Sequence, residues 1–81
     1  MGENLPGTPK PKPCFLDEQD KFGVRGGKQI WLSNDRARYF TWDSLHGEIE
    51  VFNKRGWHLG SLDAETGQYI KQPVKGRKIN V

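Results

Sequence analysis

Asp43, His46, Glu48 and Glu50 fall together in the stretch YFTWDSLHGEIEVF, Tyr39 to Phe52. These residue types can move protons. Carboxylates crowded against one another and beside an imidazole tend toward the raised pKa values that general acid and base work near neutral pH requires. Asp43, His46 and Glu50 are also a set that a hard divalent ion accepts. A solvated polar face carrying a turn histidine accounts for the same spacing. Spacing within the stretch leaves all three open.

The elements that must position these groups are two antiparallel strands. If Ser44 to Gly47 close a four-residue loop, Asp43 lies opposite Glu48, Thr41 opposite Glu50 and Tyr39 opposite Phe52. Alternation then puts Phe40, Trp42, Ile49 and Val51 on one dry packing face, and gathers Tyr39, Thr41, Asp43, Glu48, Glu50 and Phe52 on the other. Like charges facing one another across a ladder are destabilising, so the fold needs a compensating cation. His46 and the C-terminal end are the available sources. From Thr66 to Val81 the chain carries Lys71, Lys75, Arg77 and Lys78 and no acidic side chain.

Around this hairpin the chain reads as a small, mainly β domain. From Gly26 onward, runs of β-branched and aromatic residues alternate with turn signals such as Ser33-Asn34-Asp35, His46-Gly47, Arg55-Gly56 and Thr66-Gly67. The expected strands are Lys28 to Leu32, Ala37 to Asp43, Glu48 to Asn53, Trp57 to Leu62, Tyr69 to Gln72 and Lys78 to Val81. Residues 14–81 form the domain. Residues 1–13 hold four of the five prolines and read as a disordered or extended linker, or a cloning remnant. Asp17, Glu18 and Asp20 are either the start of a short helical turn or solvated charges.

Composition narrows the function. With 81 residues there is room for one domain, which must hold by packing a few large side chains, three Trp, four Phe and two Tyr. The single cysteine, Cys14, excludes an internal disulfide and a multi-cysteine zinc site within this chain. No apolar run approaches a membrane span, so no membrane contact is expected. Thirteen Lys and Arg against ten Asp and Glu give +3, too modest alone to prove a nucleic-acid partner.

WDSLHGEIE, Trp42 to Glu50, closely resembles the active-site stretch of the ribosome-inactivating colicins and cloacin. HLGSLDAETG, His58 to Gly67, is similar to that family's following strand and turn, and KGRKI, Lys75 to Ile79, to its basic C-terminal strand. The resemblance runs from about Lys28 to Val81. It implies a strongly twisted antiparallel sheet and a ribonuclease that cleaves 16S ribosomal RNA at the decoding site, without a cofactor or metal. It also implies a cognate acidic immunity protein. The toxin would be secreted or delivered from the cell surface, by a colicin-like or contact-dependent route, and would act in the cytoplasm of the target bacterium.

Carried over residue by residue, the resemblance assigns catalysis to Asp43, His46, Glu50 and Arg77, with Glu48 as a supporting acidic position. Lys28 stands where the family has an arginine, and Phe52 where it has a tyrosine. With Lys54 and Lys75, Glu48 and Lys28 complete the expected substrate-binding set. Glu50 would act as base and His46 as acid, or the reverse. His58, between Trp57 and Leu59 in an expected strand, is read as a packing or structural residue, and the three tryptophans as core. Two rivals stand beside this reading: a non-catalytic RNA-binding β module, which leaves the gathered carboxylates unexplained, and a metal-dependent nuclease.

Overall fold

The computed structural model describes residues 7–81. The alternating, turn-punctuated runs form strands β1 (Asp20–Arg25), β2 (Lys28–Leu32), β3 (Arg38–Asp43), β4 (Glu48–Asn53), β5 (His58–Leu62) and β6 (Tyr69–Lys71). They pair in chain order into one antiparallel sheet, as the mainly β reading expects. Strand β1 was not anticipated. Its sequence DKFGVR is exposed on both faces save a half-buried Gly23, so this edge strand carries no apolar alternation to read.

A 3-10 turn, Phe15–Glu18, precedes the sheet and closes one face of it. Asp17 sits in that turn as a cap: its carboxylate accepts the Cys14 N–H at 2.8 Å. Leu16 enters the core with Cys14, Trp31, Phe40, Ile49, Val51 and Leu62. The Phe15 ring meets Phe40 edge-on at 5.6 Å. The dry face predicted for the hairpin is therefore the core face. Of the tryptophans, Trp31 is core, Trp42 is half-buried with its Nε1–H donating to the Thr8 carbonyl, and Trp57 is exposed beneath the Lys78 ammonium.

The opposite face is covered by the segment after β6. The expected strand at Lys78–Val81 is replaced by a single bridge, Trp57 to Lys78. Pro73, which lacks an N–H, turns the chain out of the ladder. The segment then runs back along the start of β5, where the His58 N–H donates to the Arg77 carbonyl at 3.0 Å and the Ile79 N–H to the Gly56 carbonyl at 2.9 Å. Gly56 has φ +91°, and a Cβ there would strike the Ile79 carbonyl, so this approach requires glycine.

One irregularity matters for the site. Strands β4 and β5 pair Ile49 with Leu62, Glu50 with Ser61 and Val51 with Gly60, and then shift so that Phe52 faces His58. Uninterrupted alternation from Leu62 would send His58 to the core face. The extra residue, Leu59, reverses this and puts His58 on the side of Phe52 and Glu50. Residues 7–13 of the stretch read as a linker include Thr8, whose N–H donates to the Ser44 carbonyl at 2.7 Å; residues 1–6 lie outside the described residues. Among the described residues, no helix is long and apolar enough to cross a membrane.

Candidate active site

The hairpin register is the one read from the sequence: Asp43 opposite Glu48, Thr41 opposite Glu50, Tyr39 opposite Phe52. The loop closes through Gly47, at φ +68°, whose N–H donates to the Asp43 carbonyl at 2.8 Å. Asp43 organises the loop and the histidine together. Its Oδ1 accepts the Leu45 and His46 N–H groups, and its Oδ2 lies 2.8 Å from His46 Nδ1.

Burial raises the Asp43 carboxyl, but hydrogen bonds from the His46 ring and backbone, with the nearby His46 charge, outweigh it. The carboxyl is held below its ordinary 3.8. Asp43 therefore stays anionic and keeps the Nδ1–H of His46 turned toward it. Nε2 remains for a substrate, on a side chain 53% exposed.

Glu48 and Glu50 are only 6% and 7% exposed, so the solvated polar face is not what the chain builds. Each buried carboxylate has its own partner, as a low-dielectric site demands. Lys71 Nζ lies 2.8 Å from Glu48 Oε1. Glu50 Oε1 accepts from Arg77 Nη1 at 3.0 Å and lies 2.5 Å from His58 Nε2. His58 Nδ1 in turn accepts the Val74 N–H at 2.8 Å.

A groove of about 360 Å³ runs over these groups, lined by Lys28, Thr41, Asp43, His46, Glu50 and Arg77 among others. An adjoining hollow of about 140 Å³ lies between His46, Glu48, Glu50, His58, Lys71 and Arg77. Asp43, His46, Glu48, Glu50, Lys28 and Arg77 are thus brought together. Lys54, exposed in the β4–β5 turn, and Lys75, exposed in the turn before Arg77, line neither hollow. Phe52 lines the groove and packs edge-on against His58, with ring centroids 5.3 Å apart.

Sequence reading missed two contacts, Lys71 with Glu48 and His58 with Glu50. Lys71 had a signal, since it lies in the acid-free C-terminal stretch. His58 had none, because only the bulge turns it to this face.

Among the described residues, ligand atoms of Asp43, His46 and Glu48 lie within 4.8 Å of one another, close enough to hold a metal ion. This set differs from the ligand set of the metal-nuclease reading, with Glu48 in place of Glu50. An ion there would compete with His46 for Asp43 and with Lys71 for Glu48.

The family model described as Cytotoxic matches residues 5–80. Cloacin, colicin E3 and colicin E6 of Escherichia coli are each 34% identical to this chain over 80 residues, covering 98% of it. The chain spans 13% of the length of each of these relatives.

Proposed function

The chain belongs to the cytotoxic-domain family of cloacin and the colicins, a family of bacterial toxin domains, and on that footing we propose that it is a ribonuclease that stops translation. Its substrate is 16S ribosomal RNA in the ribosome, cut at the decoding site. The observation that supports this best is one groove holding an Asp43-oriented His46, a buried Glu50 and the Arg77 guanidinium.

RNA supplies its own nucleophile, a 2′-hydroxyl beside the scissile phosphodiester. Glu50 takes the 2′ proton as the oxygen attacks phosphorus. Protonated His46 donates from Nε2 to the departing 5′ oxygen, while Asp43 holds the ring. Arg77 uses one Nη1–H on Glu50 and has four further N–H groups for the phosphoryl oxygens, where negative charge grows in the transition state. The P–O5′ bond breaks as the 2′-O–P bond forms, so the products carry a 2′,3′-cyclic phosphate and a 5′-hydroxyl. The exposed His46 ring and anionic Asp43 favour the histidine as the acid. Lys28 supplies a phosphate contact from the groove wall.

Reaction with intact ribosomes, followed by mapping of new RNA ends, tests this reading. A single cut in 16S RNA is expected, with equal yield in excess chelator. Activity lost in chelator and restored by a divalent ion would return the metal-nuclease reading. The toxin reaches the target cytoplasm from outside the producing cell. Its producer is protected by an acidic immunity protein drawn to the basic C-terminal end, so association should slow as salt rises. A rate indifferent to salt would remove that electrostatic role.

A further inference from the structure

We propose that His58 is a positioning residue, a neutral imidazole that holds Glu50 and the Arg77 segment in register with each other; this rests on Glu50 being the base. The ring's protonation follows from its neighbours. A backbone amide can only donate, so Val74 N–H requires a lone pair on His58 Nδ1. The ring proton must then sit on Nε2, where it donates to Glu50 Oε1.

Two donors, His58 Nε2 and Arg77 Nη1, converge on that one oxygen. Among the described residues no N–H reaches Oε2, so both nitrogen donors grip the carboxylate at the same atom. His58 does this without adding a second full positive charge beside Glu50.

The same residue also secures the segment that delivers Arg77. The Val74 N–H is bound by the His58 ring, and the Arg77 carbonyl by the His58 N–H. Between them the Arg77 N–H donates to the Val74 carbonyl at 3.2 Å. One buried side chain, braced against Phe52, thereby ties the base on β4 to the cation on the C-terminal segment. Such outer partners commonly set the orientation of the groups they touch.

Nitrogen NMR of the parent protein reads the ring state without any assay of cleavage. The Nε2–H tautomer is expected at neutral pH, and an Nδ1–H or doubly protonated ring would overturn the proposal. Two variants separate positioning from packing. His58→Gln keeps a donor near the Nε2 position, and His58→Asn keeps an acceptor near Nδ1 but loses the bond to Glu50. Single-turnover cleavage should fall about 10²-fold in His58→Asn, the scale of a misplaced reacting group. Half-saturation by ribosomes should hardly move. His58→Gln should stay within about tenfold of the parent, having given up one neutral hydrogen bond.

Equal losses in two folded variants would overturn the positioning role. If neither variant folds, the tautomer decides. Glu50→Gln, measured alongside, keeps the two readings distinct. Full activity there overturns the base assignment and His58's role with it, whereas an inactive Glu50→Gln beside equal His58 variants overturns His58's role alone.

Discussion

The β3–β4 hairpin and the C-terminal segment each bring half of the chemistry, and they are built in opposite ways. In the hairpin, Asp43, His46, Glu48 and Glu50 are placed by a four-residue loop and a period of two, both local to the chain. The C-terminal segment places Arg77 through contacts across many residues: to Gly56 and His58 by backbone, and to Glu50, 27 residues away, by side chain. The proton-transfer groups thus sit on one locally specified hairpin, Glu50 on its strand and His46 in its loop, and the phosphate-facing cation sits on a segment that only the finished fold can hold. Removing His46 or Glu50 from the hairpin should therefore cripple chemistry in an intact protein. Changes to the segment should loosen the link between the halves.

The largest effect is expected from the hairpin. His46→Ala and Glu50→Gln should each slow single-turnover cleavage by about 10²-fold or more, with an unchanged circular-dichroism spectrum. A folded His46→Ala variant cutting at near-normal rate would take that residue out of the mechanism. Glu48→Gln should be milder, because the Glu48 carboxylate is paired with Lys71 and transfers no proton in the proposed reaction.

Next comes the segment's own cation. Arg77→Lys keeps the charge and loses the planar fork, so cleavage should drop roughly tenfold while ribosome binding changes little. Weakened binding with unchanged single-turnover rate would reassign Arg77 to general docking.

Gly56→Ala tests how the segment is held. The added Cβ meets the Ile79 carbonyl at a backbone conformation that disfavours side chains, so unfolding free energy should fall by about 1–3 kcal/mol. Cleavage should fall with it as Arg77 is displaced. Lost stability with full activity would show that the segment's anchor and the site are independent.

The smallest effect concerns acid. The folded-state pKa of Asp43 lies below its ordinary 3.8, so its contribution to stability is present above that value and lost as pH falls through the lowered one. Asp17, Asp35 and Asp63 are lowered too and add to the same window. Urea midpoints should therefore drop between pH 5 and pH 2–3 (about the carboxylate range). Asp43→Asn should show a shallower drop than the parent. Identical pH slopes would mean that the loop does not draw on this carboxylate's charge.

Much of the protein was readable as sequence because it depends on neighbours in the chain. The alternation of Phe40, Trp42, Ile49 and Val51 with Thr41, Asp43, Glu48 and Glu50 marks the two faces, and Gly47 marks the turn between them. The acid-free end pointed to where the compensating cations would come from, and Arg77 and Lys71 supply them.

What remained for the tertiary structure lies where a period of two breaks or no periodicity exists. Edge strand β1 buries neither face, so its burial left no pattern to detect. Lys78 to Val81 carries strand-like residues but has one bridge instead of a ladder, since its path is set by Gly56 and His58 rather than by its own composition. His58 is the clearest case. Alternation assigns it to the core, and a single inserted residue in β5 turns it to Glu50. A bulge of that kind is chosen by the partner strand and by the packing on both faces, which are properties of the folded sheet and not of any short stretch of sequence.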